Sequence, residues 1–206
     1  MLDLPPPDPS LEIVIASQGM SKGLRQTDGV QLVGRGEIAV GHVYAGLLVK
    51  NVTSPVTDVE AQAYLGYRTH AAGFELGGSI GYHRQLGAGP AADGARFEFQ
   101  ASVARPLGPV TPRLSAIFSP DDFGATRRSL YVEGGVSVAI FPGASLSANL
   151  GRRERVGGPD YTSFNAGASY AVTSWLTADL RYYDTAQSGL GAIYEPRVVG
   201  SVRLRF

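Results

Sequence analysis

Charged side chains in this 206-residue chain recur at alternate positions inside apolar-patterned segments: Arg35 and Glu37, Arg96 and Glu98, Asp179 and Arg181, Arg203 and Arg205. A spacing of two puts both members of each pair on one side of a strand. The chemistry available to them is electrostatic. Arrayed along a lumen, they would attract or repel small solutes by sign. Paired across it, they would instead brace a closed barrel, because buried charges are normally paired. The candidate lining set is Lys22, Arg35, Glu37, Lys50, Glu60, Arg68, Glu75, Arg96, Glu98, Arg113, Glu133, Arg153, Asp179, Arg181 and Arg203, with Glu12, Arg197 and Arg205 on the same face. Basic members outnumber acidic ones, so an open lumen would weakly favour anions.

Other chemistries are poorly provided for. The histidines are His42, His70 and His83. The first two fall in short turns, and His83 reads as lumen-facing, with Ser79 four residues back on the same side. Strand neighbours at that spacing are too far apart for a nucleophile–base hydrogen bond. A lipid-hydrolysing barrel would need its serine and histidine on the lipid-facing surface, so the sequence predicts no enzyme. No histidine pair or carboxylate cluster has metal-ligand spacing, and Asp121-Asp122 reads as an acidic pair in a solvated loop. The glycine-rich stretches Gly41 to Gly46 and Gly77-Gly78-Ser79-Ile80-Gly81 open no helix, so they are not phosphate loops. They read as room for a large lumen side chain such as Tyr64. No cofactor is implied. With 18 basic and 18 acidic residues, no bulk field points to nucleic acid, and the absence of cysteine excludes a disulfide scaffold.

The elements that must position these charges are strands. From Leu11 onward, about twelve alternating segments of about ten residues are separated by turn residues. In the clearest, Leu130, Val132, Val136, Val138 and Ile140 oppose Tyr131, Glu133, Gly135, Ser137 and Ala139. Connections alternate in length along the chain. Short ones fall at 41–42, 70–73, 106–109, 141–143 and 173–174, and longer ones at 51–57, 86–94, 120–128, 153–160 and 185–195. That asymmetry is the one between periplasmic turns and extracellular loops in outer-membrane barrels. The apolar face carries Tyr67, Tyr82, Trp175, Tyr182 and Phe206 close to strand ends, as interface girdles do. Mean hydropathy near zero does not argue against this, because strands dilute each apolar residue with a polar neighbour. The expectation is an all-β chain: one antiparallel transmembrane β-barrel of about twelve strands, with short periplasmic turns and longer extracellular loops. Residues 1–10 read as a Pro-rich periplasmic tail and 11–206 as the barrel.

The last strand pairs an apolar face, Val198, Gly200, Val202, Leu204 and Phe206, with Arg197, Arg203 and Arg205 on the other. A terminal aromatic such as Phe206 is the signal that outer-membrane barrels present to their assembly machinery. Lipid and lipopolysaccharide are therefore the expected surroundings, with the outer membrane of a Gram-negative bacterium as the location. No secretory leader precedes the first strand, so an exported chain would be mature, with Met1 as an added start residue.

The run Gly23-Leu24-Arg25-Gln26-Thr27-Asp28-Gly29, placed after a first strand and opening a second, resembles the start of the TorF family of porins. Arg25 stands where that family commonly has serine. The end of the chain, Pro196-Arg197-Val198-Val199-Gly200-Ser201-Val202 through Phe206, resembles that family's closing strand. The resemblance implies an outer-membrane barrel from about Leu11 to Phe206, and a narrow passive channel for small solutes. A closed barrel serving as an anchor or assembly partner is the alternative.

Overall fold

The computed structural model describes residues 5–89, 92 and 94–206. Met1, and with it the reading of an added start residue, lies outside that range, as do residues 90, 91 and 93 of the connection expected at 86–94. The chain runs through β1 (Asp8–Ala16), a small hairpin of β2 (Met20–Ser21) and β3 (Leu24–Arg25), then β4 (Gln31–Val40), β5 (Val43–Asn51) and β6 (Val59–Ala71). It continues through β7 (Phe74–Leu86), β8 (Ala95–Ala104), β9 (Val110–Asp122), β10 (Arg127–Phe141), β11 (Ala144–Arg155), β12 (Tyr161–Ala171), β13 (Leu176–Asp184) and β14 (Arg197–Arg205).

All of these except β2 and β3 form one closed antiparallel barrel of twelve strands, each paired with its neighbours in sequence. Closure joins β1 to β14, with Ile13 opposite Leu204 and Ile15 opposite Val202. At the end of that seam the Leu11 N–H donates to the Phe206 carbonyl at 3.0 Å, and the Phe206 N–H donates back at 2.9 Å. The terminal residue thus completes the sheet where the sequence places it.

The short connections are tight because their residues accept positive φ. Ala72 (φ 51°) and Gly73 (φ 78°) join β6 to β7 in a mirror-image turn whose twist matches the hairpin. Three boundaries differ from expectation. β9 runs on to Asp122 and β11 to Arg155, so the long connections expected at 120–128 and 153–160 shrink to residues 123–126 and 156–160. β1 starts at Asp8, taking Pro9 and Ser10 out of the expected tail and into the sheet. Pro9 is tolerated because β1 pairs there only with β4, leaving one edge free. The Gly23–Gly29 run opens no barrel strand, since β4 begins only at Gln31.

The distribution of side chains is inverted relative to a water-soluble protein. Leu47, Leu65, Phe97, Leu150, Leu180 and Val198 stand exposed on the outer face, while Glu60, His83, Ser119, Asn149 and Ser163 are buried inside. The buried apolar cluster among the described residues is only Leu24, Tyr161 and Tyr194, at the long-loop end. A continuous apolar exterior on a closed sheet suits hydrocarbon, because the strands satisfy one another's backbone groups around the barrel. Aromatics mark both rims. Tyr67, Trp175, Phe206 and the Phe141–Tyr170 pair (6.3 Å between rings) sit at the short-turn end; Tyr82–Phe97 (5.1 Å) and Phe164–Tyr182 (6.0 Å) sit towards the long loops.

Candidate functional site: the lumen

Alternation along each strand sends the polar residues inward, and their positions along the strands sort them into two groups. The first group lies at the long-loop end. His83 on β7 sits between two carboxylates, its Nδ1 3.0 Å from Glu60 Oε1 and its Nε2 3.3 Å from Glu98 Oε2. Arg96 of β8 reaches three acids: Nη1 donates to Asp122 Oδ1 at 2.8 Å, while Nε lies 3.1 Å from Glu98 and Nη2 3.6 Å from Glu60. Arg153 of β11 donates to the other Asp122 oxygen at 2.6 Å, and Ser129 donates to the same atom at 2.8 Å. Lys50 of β5 lies 3.4 Å from Glu60. Side-chain exposure is only 9% for Arg96 and 11% for Arg153. Every charge in this layer has at least one opposite partner, as burial requires.

The second group occupies the middle and the short-turn end. Glu37 of β4 takes Arg68 at 2.5 Å and accepts the Tyr64 hydroxyl at 3.1 Å. The Arg68 guanidinium also lies 4.5 Å from the Tyr44 ring centre, and that of Arg35 lies 5.8 Å from Tyr64. On the seam, Arg203 and Arg205 share Glu12, at 3.5 and 2.9 Å. Arg113 donates twice to Asn149 Oδ1 (3.2 and 2.7 Å), with Glu133 at 3.7 Å. Asn149 passes the chain on to Asn165 (2.7 Å), which also receives Arg181 at 2.8 Å; Arg181 lies 3.1 Å from Asp179. Exposure here is 52% for Arg113 and 48% for Arg203. Those two guanidiniums remain wet, whereas Arg181 is only 14% exposed.

Glycine makes room for the large residues of the wall. A Cβ at Gly46 would overlap the Tyr64 ring, one at Gly66 the Tyr44 ring, and one at Gly151 the Tyr131 ring. The expectation holds for Gly46 against Tyr64, whereas a Cβ at Gly77, Gly78 or Gly81 would meet Ser102, Gln100 or Gln62 instead. A cavity of about 520 Å³ runs from Arg35, Glu37, Tyr64 and Arg68 up to Lys50, Arg96 and Glu98 of the first group, with Met20 and Ser21 of β2 on its border.

Most of the predicted lining residues meet in these two groups, with two corrections. Lys22 is on no barrel strand: it is the tip of the β2–β3 hairpin, turned into the lumen and paired with Glu98. Glu75 stays at the short-turn rim, half exposed, 3.9 Å from the exposed His70. Asp122 was expected in a solvated loop, yet it is buried and joins two arginines. Its signal was hidden by a bulge. Between the Ser119–Ser129 and Asp122–Arg127 pairs β9 uses three residues where β10 uses two, so simple alternation points Asp122 the wrong way. His83 has both ring nitrogens directed at carboxylates rather than at Ser79.

The profile of a family described as "Bacterial protein of unknown function (Gcw_chp)" matches residues 7–198. The chain belongs to this Gcw_chp family. That description does not carry the TorF name, so the TorF resemblance rests on the two short motifs, the first of which lies in the β2–β3 hairpin and its exit. No curated protein matches in sequence. Among solved structures, this Gcw_chp protein is similar to KdgM porin (10% identity, TM-score 0.66, covering 96% of this chain and 99% of that one). It is also similar to NanC porin (10% identity, TM-score 0.61, 95% and 97%). A third likeness is to an outer membrane channel from Pseudomonas putida F1 (16% identity, TM-score 0.54, 98% and 96%). At these identities the likeness is one of fold: that of porin-type outer-membrane barrels.

Proposed function

We propose that this Gcw_chp protein is a passive channel for small solutes in the outer membrane of a Gram-negative bacterium, with a weak preference for anions. The observation that carries this is the wet short-turn half of the lumen. There Arg35, Arg68, Arg113, Arg203 and Arg205 face Glu12, Glu37 and Glu133, a net positive lining of which Arg35, Glu37 and Arg68 border the cavity. Partly exposed guanidiniums attract anions without binding them so tightly that passage stops. Carboxylated sugars are one class that suits arginines backed by tyrosines, and KdgM porin is described in complex with disordered oligogalacturonate. The apolar belt would contact lipid and lipopolysaccharide, and Phe206, exposed at the seam, would be the end read by the barrel-assembly machinery.

Reconstitution in planar bilayers tests the reading. Discrete conductance steps are expected, with a reversal potential in a salt gradient that reports anion preference. Conductance no higher than that of protein-free bilayers overturns the channel. One observation favours a second reading, a closed structural barrel: the paired layer at the long-loop end spans several walls of the lumen.

A further inference from the structure

The connection between β1 and β4 does not stay outside the barrel. Its base is narrow, with the Gln26 N–H donating to the Gly19 carbonyl at 2.8 Å, and from there β2 and β3 run into the lumen. The tip turns through Lys22 (φ 51°) and Gly23 (φ 80°), both in the left-handed region. A Cβ at Gly23 would overlap Ser163, so the tip is pressed directly against the β12 wall. Three walls hold it. On β12 the Tyr161 hydroxyl donates to the Lys22 carbonyl at 2.7 Å. On β8, four strand places round the barrel, Glu98 takes the Lys22 ammonium. On β5, Lys50 donates to Gln26 at 2.6 Å. A segment tied to β5, β8 and β12 crosses the bore, and its Met20, Ser21 and Lys22 border the cavity that Arg35 and Arg68 line from the other half.

We infer that the β2–β3 hairpin is the constriction element of the channel: held in place by Lys22, it sets the size of solute that passes, while the barrel wall does not. This rests on the channel reading above. The bare lumen of a twelve-stranded barrel is wider than that of the side-chain-filled eight-stranded type, so an inserted segment is what narrows it. Lys22 is the separable part of the latch. If it is removed, Glu98 still faces Arg96 and His83, so the wall network keeps its partners while the hairpin loses its hold on β8.

Two variants test this beside the wild type. In the first, residues 20–25 are replaced by Asn-Gly, a two-residue turn suited to a base where Gly19 and Gln26 are already hydrogen-bonded. In the second, Lys22→Met releases the tip from β8 without shortening the chain. The readouts are single-channel conductance and the swelling of proteoliposomes in neutral sugars of increasing size. The shortened variant is expected to conduct several-fold more and to admit larger sugars, and Lys22→Met to give noisier, higher conductance than wild type. If the wild type conducts and both variants share its conductance and size limit, the hairpin is not the constriction and the channel reading stands. If the wild type is silent and either variant conducts, the hairpin closes the pore and the passive open channel is overturned. Silence from all three overturns both. Should the shortened variant fail to refold, Lys22→Met combined with Tyr161→Phe, which removes both polar ties of the tip, decides alone: conductance and noise unchanged from wild type overturn the inference.

Discussion

The two ends of one lumen use the same residue types in opposite ways. At the long-loop end, Lys50, Arg96 and Arg153 are buried and each lies against Glu60, Glu98 or Asp122. At the short-turn end, Arg68, Arg113, Arg203 and Arg205 are about half exposed or more, and two of them share the single carboxylate Glu12. The difference is water. Side-chain exposure in the first group is 14% or less, so a lost partner there strands a largely desolvated charge. In the second group water replaces a lost partner, and pairing contributes little. One half is built to hold shape, and the other is free to meet solutes.

The comparison can be broken most sharply at Asp122. Asp122→Ala leaves Arg96 and Arg153 buried without their shared acid, and should cost about 3–5 kcal/mol, read as a shift in the urea unfolding midpoint of the refolded barrel. A cost below about 1 kcal/mol would show that water reaches the network and would erase the distinction. Next in size is packing. Gly151→Val forces the Tyr131 ring off the wall and should cost about 1–3 kcal/mol by the same measurement. If Gly151→Val were neutral, the tyrosine–glycine fit would not be tight.

Smaller still in stability, but larger in function, are changes in the wet half. Arg113→Ala should cost no more than about 1 kcal/mol while moving the reversal potential towards cations. A variant with large destabilisation and unchanged selectivity would mean that this arginine braces the wall instead. The smallest effect is that of salt. Between 0.1 and 1 M the screening length falls from about 10 to about 3 Å, so anion preference should weaken. The unfolding midpoint should respond less, because the charges that support it are shielded from solvent. Selectivity that survives 1 M salt would point to size rather than charge.

Much of this was legible from period alone. Alternation in segments such as 129–141 gave the strand identity, the inward set and the apolar exterior, and Phe206 lay at the seam opposite Leu11. What escaped follows from places where the period stops. Lys22 was placed on a wall because charged residues near strands read as strand residues, whereas the positive φ of Lys22 and Gly23 turns the chain into a separate hairpin. Asp122 was read as a loop residue because the bulge before it shifts the register by one, which sends it inward instead of outward.

The sequence by itself therefore determined that this chain closes a polar-lined barrel with an apolar exterior. A two-residue period is a local property that every strand carries whatever its neighbours are. Which charges are buried, which stay wet, and what crosses the bore were decided only by the tertiary structure. Lys22 meets Glu98 across 76 positions of chain, and Tyr161 reaches the Lys22 carbonyl across 139. Contacts of that range exist only once the sheet has closed and folded the first loop into its own lumen.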